Sequence, residues 1–460
     1  MRKRKLTKYV IALTLALCCG GIASAGEKAA SKGKVAGAEK SVAQEILDIL
    51  RANNQIDAQQ YESLLTKAKT EEARRQAGEK KVANAMQTYW KDGLNIEGGD
   101  DAKFKFKIGG YFMSDFAYID GDKNLEKKVG EFGSGTEFRR ARVSLSGTIY
   151  DRIDFKTEYD FSDGSAKIQD AYFRINDLPW VGSLKVGHFK EPFSLAETVS
   201  ARDITFIERS HLKDAFIPSR NMGLMVQDTA FDKRMTWAFG GFRETDDQGK
   251  GFGDSQYNMT MRFTGLPWYE ESGRKLLHLG LSYSHKFRND DPVRFRSRPE
   301  AHLAPRFVDT KDLAADGVDL LNPELAMVYG PFSLSAEYTH AFVSAASGNS
   351  PEFSGYYVET SYFLTGEYRP YKDSTGAFAS VKPKRDFDGQ GGWGAWEVGM
   401  RYSSIDLQDG AIKGGKLMGL TTGLNWYLNP SMRIMANYSL AQRNILGDAN
   451  IFQVRAQVAF

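Results

Sequence analysis

Residues 451–460, I-F-Q-V-R-A-Q-V-A-F, constrain the fold more than any other stretch. Phe452, Val454, Ala456, Val458 and Phe460 share one parity, and Gln453, Arg455, Gln457 and Ala459 share the other. Successive side chains of a strand point to opposite faces, so this segment has a continuous apolar face and a mostly polar one. Residues 432–440 and 420–428 repeat the pattern, joined by the turn signal Asn429-Pro430. A sandwich strand alternates in the same way. An alternating final strand that ends on an aromatic, behind an N-terminal export signal, is the pattern of a closing strand in an outer-membrane β-barrel.

The export signal is expected at residues 1–25. Arg2, Lys3, Arg4, Lys5 and Lys8 precede an apolar run at 10–19, and Ala23-Ser24-Ala25 supplies small residues for cleavage. Cys18 and Cys19, the chain's two cysteines, would leave with it, so no disulfide or thiol chemistry is expected. The formal charge of +3 loses those five basic residues and becomes −2. Any preference for anions must then come from local clusters rather than from overall charge. Nowhere after residue 25 are there 18 uncharged apolar residues in a row, which excludes helical membrane spans but not strands.

Residues 26–40 read as a linker, and 41–52 as a helix with the stripe Val42, Ile46, Ile49 and Leu50. Asp57 caps a second helix carrying Tyr61, Leu64, Leu65 and Ala68, which runs to about residue 85. A helical hairpin and a self-associating coiled coil both fit. The expected division is therefore 1–25 signal peptide, 26–90 linker and periplasmic helical segment, and 91–460 barrel.

From Lys91 the period changes from 3.6 to 2. Phe104, Phe106, Ile108 and Phe112 alternate with Lys103, Lys105, Lys107 and Tyr111. Val143, Leu145 and Ile149 alternate with Arg142, Ser144 and Thr148, and Phe155, Tyr159 and Phe161 with Lys156, Glu158 and Asp160. An apolar outer face over a charged inner face is how a water-filled barrel is written. Counting such segments to residue 460 gives about 16 antiparallel strands. Short links then fall at one end and long links (117–136, 190–221, 288–322) at the other, with 365–394 as a long link at the short-link end. A linker is expected at 441–450. Trp180, Trp237, Trp268, Tyr269, Trp393, Trp396 and Trp426 are expected to form girdles at the two membrane interfaces.

Loop 190–221 mixes apolar residues with Arg202, Arg209, Lys213 and Arg220, and is expected to fold inward and carry its cations into the lumen. Loop 288–322 holds Arg294, Arg296 and Arg298 at alternate positions, so an extended segment presents them in one row, suited to phosphate or carboxylate. None of the six histidines sits in a recognisable motif, and there is no Gly-x-Ser-x-Gly, His-Glu-x-x-His or phosphate-binding glycine loop. No catalysis, metal or cofactor is expected.

The segments F-R-R-A-R (138–142), V-G-H-F-K-E-P-F-S-L (186–195), D-I-T-F-I-E-R-S (203–210), W-G-A-W-E-V-G-M-R-Y-S (393–403) and V-R-A-Q-V-A-F (454–460) resemble the phosphate-selective porin O/P family of Gram-negative outer membranes. The resemblance covers roughly 91–460. It implies a 16-stranded trimeric channel with an inward third loop and wall cations that pass phosphate or polyphosphate. Arg139, Arg140 and Arg142 match wall positions; by parity Arg140 and Arg142 face the lumen and Arg139 faces outward near the rim. The expected lumen set is thus Lys105, Lys107, Arg139, Arg140, Arg142, Arg202, Arg209, Lys213, Arg220, Arg294, Arg296 and Arg298. Expected partners are small anions such as phosphate, outer-membrane lipid and lipopolysaccharide, two further copies of the chain, and peptidoglycan through the N-terminal helices, but no nucleic acid. The alternatives are a general, non-selective porin with a structural, envelope-tethering N-terminus, and an outer-membrane barrel enzyme.

Overall fold

The computed structural model describes residues 42–83, 86–98, 103–253, 256–289 and 291–460. The expected signal peptide and linker lie outside the described residues.

The chain divides into two compact units, 1–80 and 81–460. In the first, helix α1 (Val42–Ala52) precedes α2 (Ala58–Ala83). Asp57 and Gln60 cap α2 reciprocally: Gln60 N donates to Asp57 Oδ1 at 2.7 Å and Asp57 N donates to Gln60 Oε1 at 3.0 Å. The face α1 buries is Leu47, with Tyr61 of α2 also buried and its hydroxyl donating to Asp48 at 2.6 Å. Ile46 and Ile49 of the expected stripe are exposed.

The second unit is a closed barrel of sixteen antiparallel strands. They are β1 (Phe104–Gly121), β2 (Ser134–Ile149), β3 (Ile153–Asp160), β4 (Lys167–Leu178), β5 (Gly182–Lys190), β6 (Arg220–Ala230), β7 (Met235–Arg243) and β8 (Tyr257–Glu270). Then come β9 (Lys275–Phe287), β10 (Leu313–Tyr329), β11 (Phe332–Ala345), β12 (Glu352–Phe363), β13 (Ala395–Asp409), β14 (Ile412–Asn429), β15 (Met432–Arg443) and β16 (Gly447–Ala459). Strand β16 pairs with the upper part of β1, from Ala459 opposite Tyr111 to Ala449 opposite Gly121. Below it, a short hairpin (Gln87–Trp90, Leu94–Gly98) pairs Leu94 with Ile108 and Gly98 with Phe104. The β1 edge is thereby covered along most of its length, which removes a template for edge pairing.

Connections alternate between the two ends. One end carries short turns plus the long stretch 364–394; the other carries the loops 122–133, 191–219, 244–256 and 288–312 among its links. The strands reach further toward the long-loop end than alternation alone indicates. β1 continues to Gly121, β10 begins at Leu313 rather than near 323, and the expected linker at 441–450 shrinks to 444–446. The pattern inverts there. Ile119, Val318, Leu320, Ala449 and Ile451 point inward and are buried, while Asp120 and Asn450 point outward. At this rim the lumen is dry and the outside is wet, so the outward-apolar rule no longer marks a strand.

The six barrel tryptophans correct the expectation of two girdles. Trp180, Trp237, Trp268, Trp393, Trp396 and Trp426 all sit at the short-turn end. Trp396 stacks on Trp426 at 5.2 Å, and both indoles donate to the Trp393 carbonyl. Outward aromatics nearer the other rim are phenylalanine and tyrosine, such as Phe116, Tyr118 and Phe342.

Candidate functional site

Loop 191–219 leaves the wall after β5 and crosses the lumen. Its helix α3 (Leu195–Thr198) starts on Glu337 of β11, whose carboxylate accepts from Leu195 N at 3.1 Å and Ala196 N at 2.8 Å. From there the backbone lies against β13–β16. Arg433 donates to the carbonyls of Ile204 (2.8 Å) and Arg202 (3.0 Å), Asn425 to Thr205 (2.8 Å), Arg455 to Ile207 (2.5 Å) and Arg401 to Glu208 (2.9 Å). Each such charged hydrogen bond is worth about 1.5–3 kcal/mol. Phe206 fills the space over Gly399 and Gly423, where a Cβ would meet its ring at 3.1–3.2 Å. Glycine at those two positions lets the loop lie flat on the wall.

Loop 288–312 roofs the same side. Glu300 takes Arg401 (2.5 Å), Ser403 and Thr421 (2.8 Å), Ser297 donates to the His211 carbonyl (3.0 Å), and His302 reaches Glu137 on β2 (2.8 Å). Beneath it Phe193, Leu212, Phe216, Phe295 and Phe307 join inward residues of β10–β16 in one apolar core. From the short-turn end, stretch 364–394 also folds in. Tyr371 and Phe378 pack with Leu195, Val199 and Ile204, and Arg262 donates to the Gly376 carbonyl at 2.8 Å. Half of the lumen is therefore filled.

The other half, along β1–β7, holds a cavity of about 530 Å³. Nine cationic side chains and five carboxylates line it. Of the expected set, Arg139, Arg140, Arg142, Arg209, Lys213 and Arg220 are among them. Lys156, Lys185 and Lys190 join them and were not nominated from sequence, although the inward parity of β3 and β5 marks Lys156 and Lys185; Lys190, at the end of β5, has the opposite parity to Lys185.

Many of these charges are paired. Arg142 binds Asp160 (2.7 Å) and Glu158 (3.2 Å), Lys156 binds Asp170 (2.6 Å) and Glu158 (3.0 Å), and Arg220 binds Asp170 (2.8 Å). Arg209 and Lys190 face Glu197 at 3.5 and 3.7 Å. Burial pushes the Glu197 carboxyl up, but these neighbours more than offset it and hold it below the usual range. Lys185 instead lies over the rings of Tyr172 (3.9 Å) and Phe189 (4.3 Å). Among the described residues neither Lys185 nor Lys213 has a carboxylate within ion-pair distance.

Arg139 does not face outward. The β1–β2 register slips between Met113 and Ser114, which pair with Arg140 and Phe138. The extra residue is Arg139, so this bulge turns two consecutive arginines inward. Arg139 then binds Glu208 of the in-folded loop at 2.8 Å.

The remaining expected cations lie elsewhere. Lys107 and Arg202 line a separate cavity of about 100 Å³ near the short-turn end, with Lys382. Lys105 is exposed below it. Arg294, Arg296 and Arg298 form an outward row on the roof, alternating with buried Val293, Phe295 and Ser297, and none lines either cavity. Arg294 is spent on Asp309 at 2.5 Å.

The profile of the family described as phosphate-selective porin O and P matches residues 106–460. The chain is 28% identical to Porin O of Pseudomonas aeruginosa, over 78% of this chain and 88% of that one. Its fold is similar to OmpT of Vibrio cholerae carrying a deletion of loop L8 (12% identity, 78% of this chain and 100% of that one, TM-score 0.51). It is similar also to in-vitro folded OmpT in its trimer form (11% identity, 78% and 99%, TM-score 0.50).

Proposed function

Because the chain belongs to the phosphate-selective porin O and P family, we propose that the charged half-lumen along β1–β7 is its conduction path and that phosphate or polyphosphate is its preferred solute. The chain is a porin of the Gram-negative outer membrane, a passive channel rather than an enzyme. The observation that carries the proposal is the excess of nine cations over five carboxylates on a cavity of about 530 Å³. Fixed cations lower the cost of an anion entering a low-dielectric passage, and partial neutralisation keeps each site weak enough to release it. Arg296 and Arg298 on the roof, and Lys107, Arg202 and Lys382 in the separate cavity near the short-turn end, place further cations toward the two ends of the barrel.

We also infer a homotrimer, in keeping with the trimer form of the OmpT neighbour, with outer-membrane lipid and lipopolysaccharide around it. In this reading the linker and helical segment expected at 26–90, with helices α1 and α2, is periplasmic after removal of residues 1–25. The exposed Ile46 and Ile49 suit contact with further copies or with peptidoglycan-associated surfaces.

Reversal potentials in a planar bilayer under a KCl gradient test the reading. Anion preference with chloride current blocked by phosphate is the expected result. Weak or cation preference would reduce the protein to a general porin.

A further inference from the structure

Three guanidinium groups converge where the in-folded loop meets the wall. Arg139 Nε lies 2.8 Å from Glu208 Oε1, Arg455 Nη2 lies 3.0 Å from the same oxygen, and Arg140 Nη1 stands 3.9 Å from it. Arg139 grips the carboxylate with two nitrogens, the second reaching Oε2 at 3.2 Å. This is the geometry with which arginine holds a carboxylate or phosphate. The anion inside it, however, belongs to the protein.

The cluster is short of acceptors. Arg455 has a second carboxylate, Asp115 at 2.7 Å, but Arg140 does not. Arg140 is buried to 4% exposure, its Nη1 touches only the Met113 sulfur at 3.4 Å within hydrogen-bond distance, and its Nε has no partner among the described residues. A buried guanidinium with an unmet donor marks a place for one more oxyanion. Arg139 and Arg140 both line the 530 Å³ cavity and the Glu208 side chain keeps 15% exposure, so the rim of the seat borders the conduction path, while Arg455 and Arg140 Nε lie buried behind it.

We propose that Glu208 is a tethered competitor: its carboxylate occupies the anion seat formed by Arg139, Arg140 and Arg455 and must yield to, or share the seat with, each oxyanion that passes. The proposal rests on the conduction path assigned above and goes beyond it by naming what sets the affinity. A seat of three arginines without an internal anion would retain phosphate; with Glu208 in it, the same seat binds weakly and releases. Two facts make Glu208 suited to this. Its backbone carbonyl is held by Arg401 at 2.9 Å, so the side chain is aimed without depending on its own ion pairs. Burial would raise its pKa, but Arg139, Arg140 and Arg455 outweigh burial and hold it well below the usual carboxylate range, so the competitor stays charged.

The test is block of chloride current by inorganic phosphate in bilayers containing the full-length protein. Glu208→Gln keeps the size of the side chain and removes its charge. Half-block should then occur at a phosphate concentration at least tenfold lower than in the unmodified channel, with longer closures per event. Adding Arg140→Gln to that variant should abolish the gain, because the seat loses the donor that lacks a partner. Unchanged half-block in Glu208→Gln would overturn the proposal. So would a rise in conductance for potassium and chloride alike, which reports a slackened loop instead. An unmodified channel without anion preference would count against the conduction path itself, and reversal potential reads that separately from block.

Discussion

The two halves of the lumen are built from the same kind of strand and hold opposite interiors. Along β3–β7 the strands are short (8 residues in β3, 9 in β5 and β7) and their inward charges meet water. Along β10–β16 they are longer, with 17 residues in β10 and 18 in β14, and their inward residues are covered by loops. Arginine shows the contrast. On the open side Arg142 and Arg220 project into the cavity and balance acids. On the filled side Arg401, Arg433 and Arg455 are almost fully buried and donate to loop carbonyls. The residue type does not tell a pore cation from a structural clamp; what lies in front of it does.

Glu300 is where the contrast should break most easily. It is 5% exposed and joins the roof to Arg401, Ser403 and Thr421. Glu300→Ala leaves Arg401 without its closest anion and should cost about 3–5 kcal/mol of roof docking. Single-channel conductance should rise and selectivity fall as the filled half admits water; unchanged conductance would mean the roof is held by its apolar contacts alone.

Those contacts come next in size. Phe295 lies 5.3 Å from Phe353 and 5.6 Å from Phe216 by ring centroids. Phe295→Ala should destabilise the docked roof by about 3 kcal/mol, seen as earlier cleavage of loop 288–312 by protease while the barrel remains intact.

On the open side the effects should fall on selectivity instead. Lys185→Gln removes a cation that no wall carboxylate neutralises, and should lower the chloride-to-potassium permeability ratio about tenfold, or roughly 1.4 kcal/mol at a site of intermediate dielectric. A change in thermal stability without a change in permeability would place Lys185 with the clamps.

Acid should discriminate the halves weakly. Burial raises Glu300, but Arg401 and His211 outweigh it and leave its pKa low; Glu208 is likewise depressed. A depressed carboxylate contributes fully above its unfolded value of about 4.3 and is lost only as pH falls through the folded value. Loop docking, and with it conductance, should therefore hold from pH 8 to about 4.5 and fail only in stronger acid. The smallest effect belongs to Arg294→Ala on the exposed roof, at most about 1 kcal/mol and no shift in reversal potential.

How much of this was legible in the sequence follows the same division. Where lipid lies outside and water inside, parity reads the strand directly, as for Phe104–Phe112 and Phe452–Phe460. Where the inside is dry, Val318, Leu320 and Ile451 break the rule and the strand ends are misplaced by several residues. The bulge at Arg139 was hidden because one inserted residue leaves no composition signal. The clamps were hidden for another reason. Arg455 and Ile207 are 248 positions apart, and a backbone carbonyl has no side-chain identity to match. Inward folding of loop 191–219 was readable because its apolar residues had nowhere else to be buried.

That the clamps grip carbonyls has one more consequence. Every residue type offers the same carbonyl, so, apart from the buried Ile204, Thr205, Phe206 and Ile207, the wall fixes the path of 202–208 with little regard to which side chains stand there. Substitutions on the cavity-facing side of the loop can accumulate without moving its backbone. The filled half of the lumen thus serves as a chassis on which the permeability of the open half is free to drift, and new solute preferences are within reach of single substitutions in this lineage and at the bench.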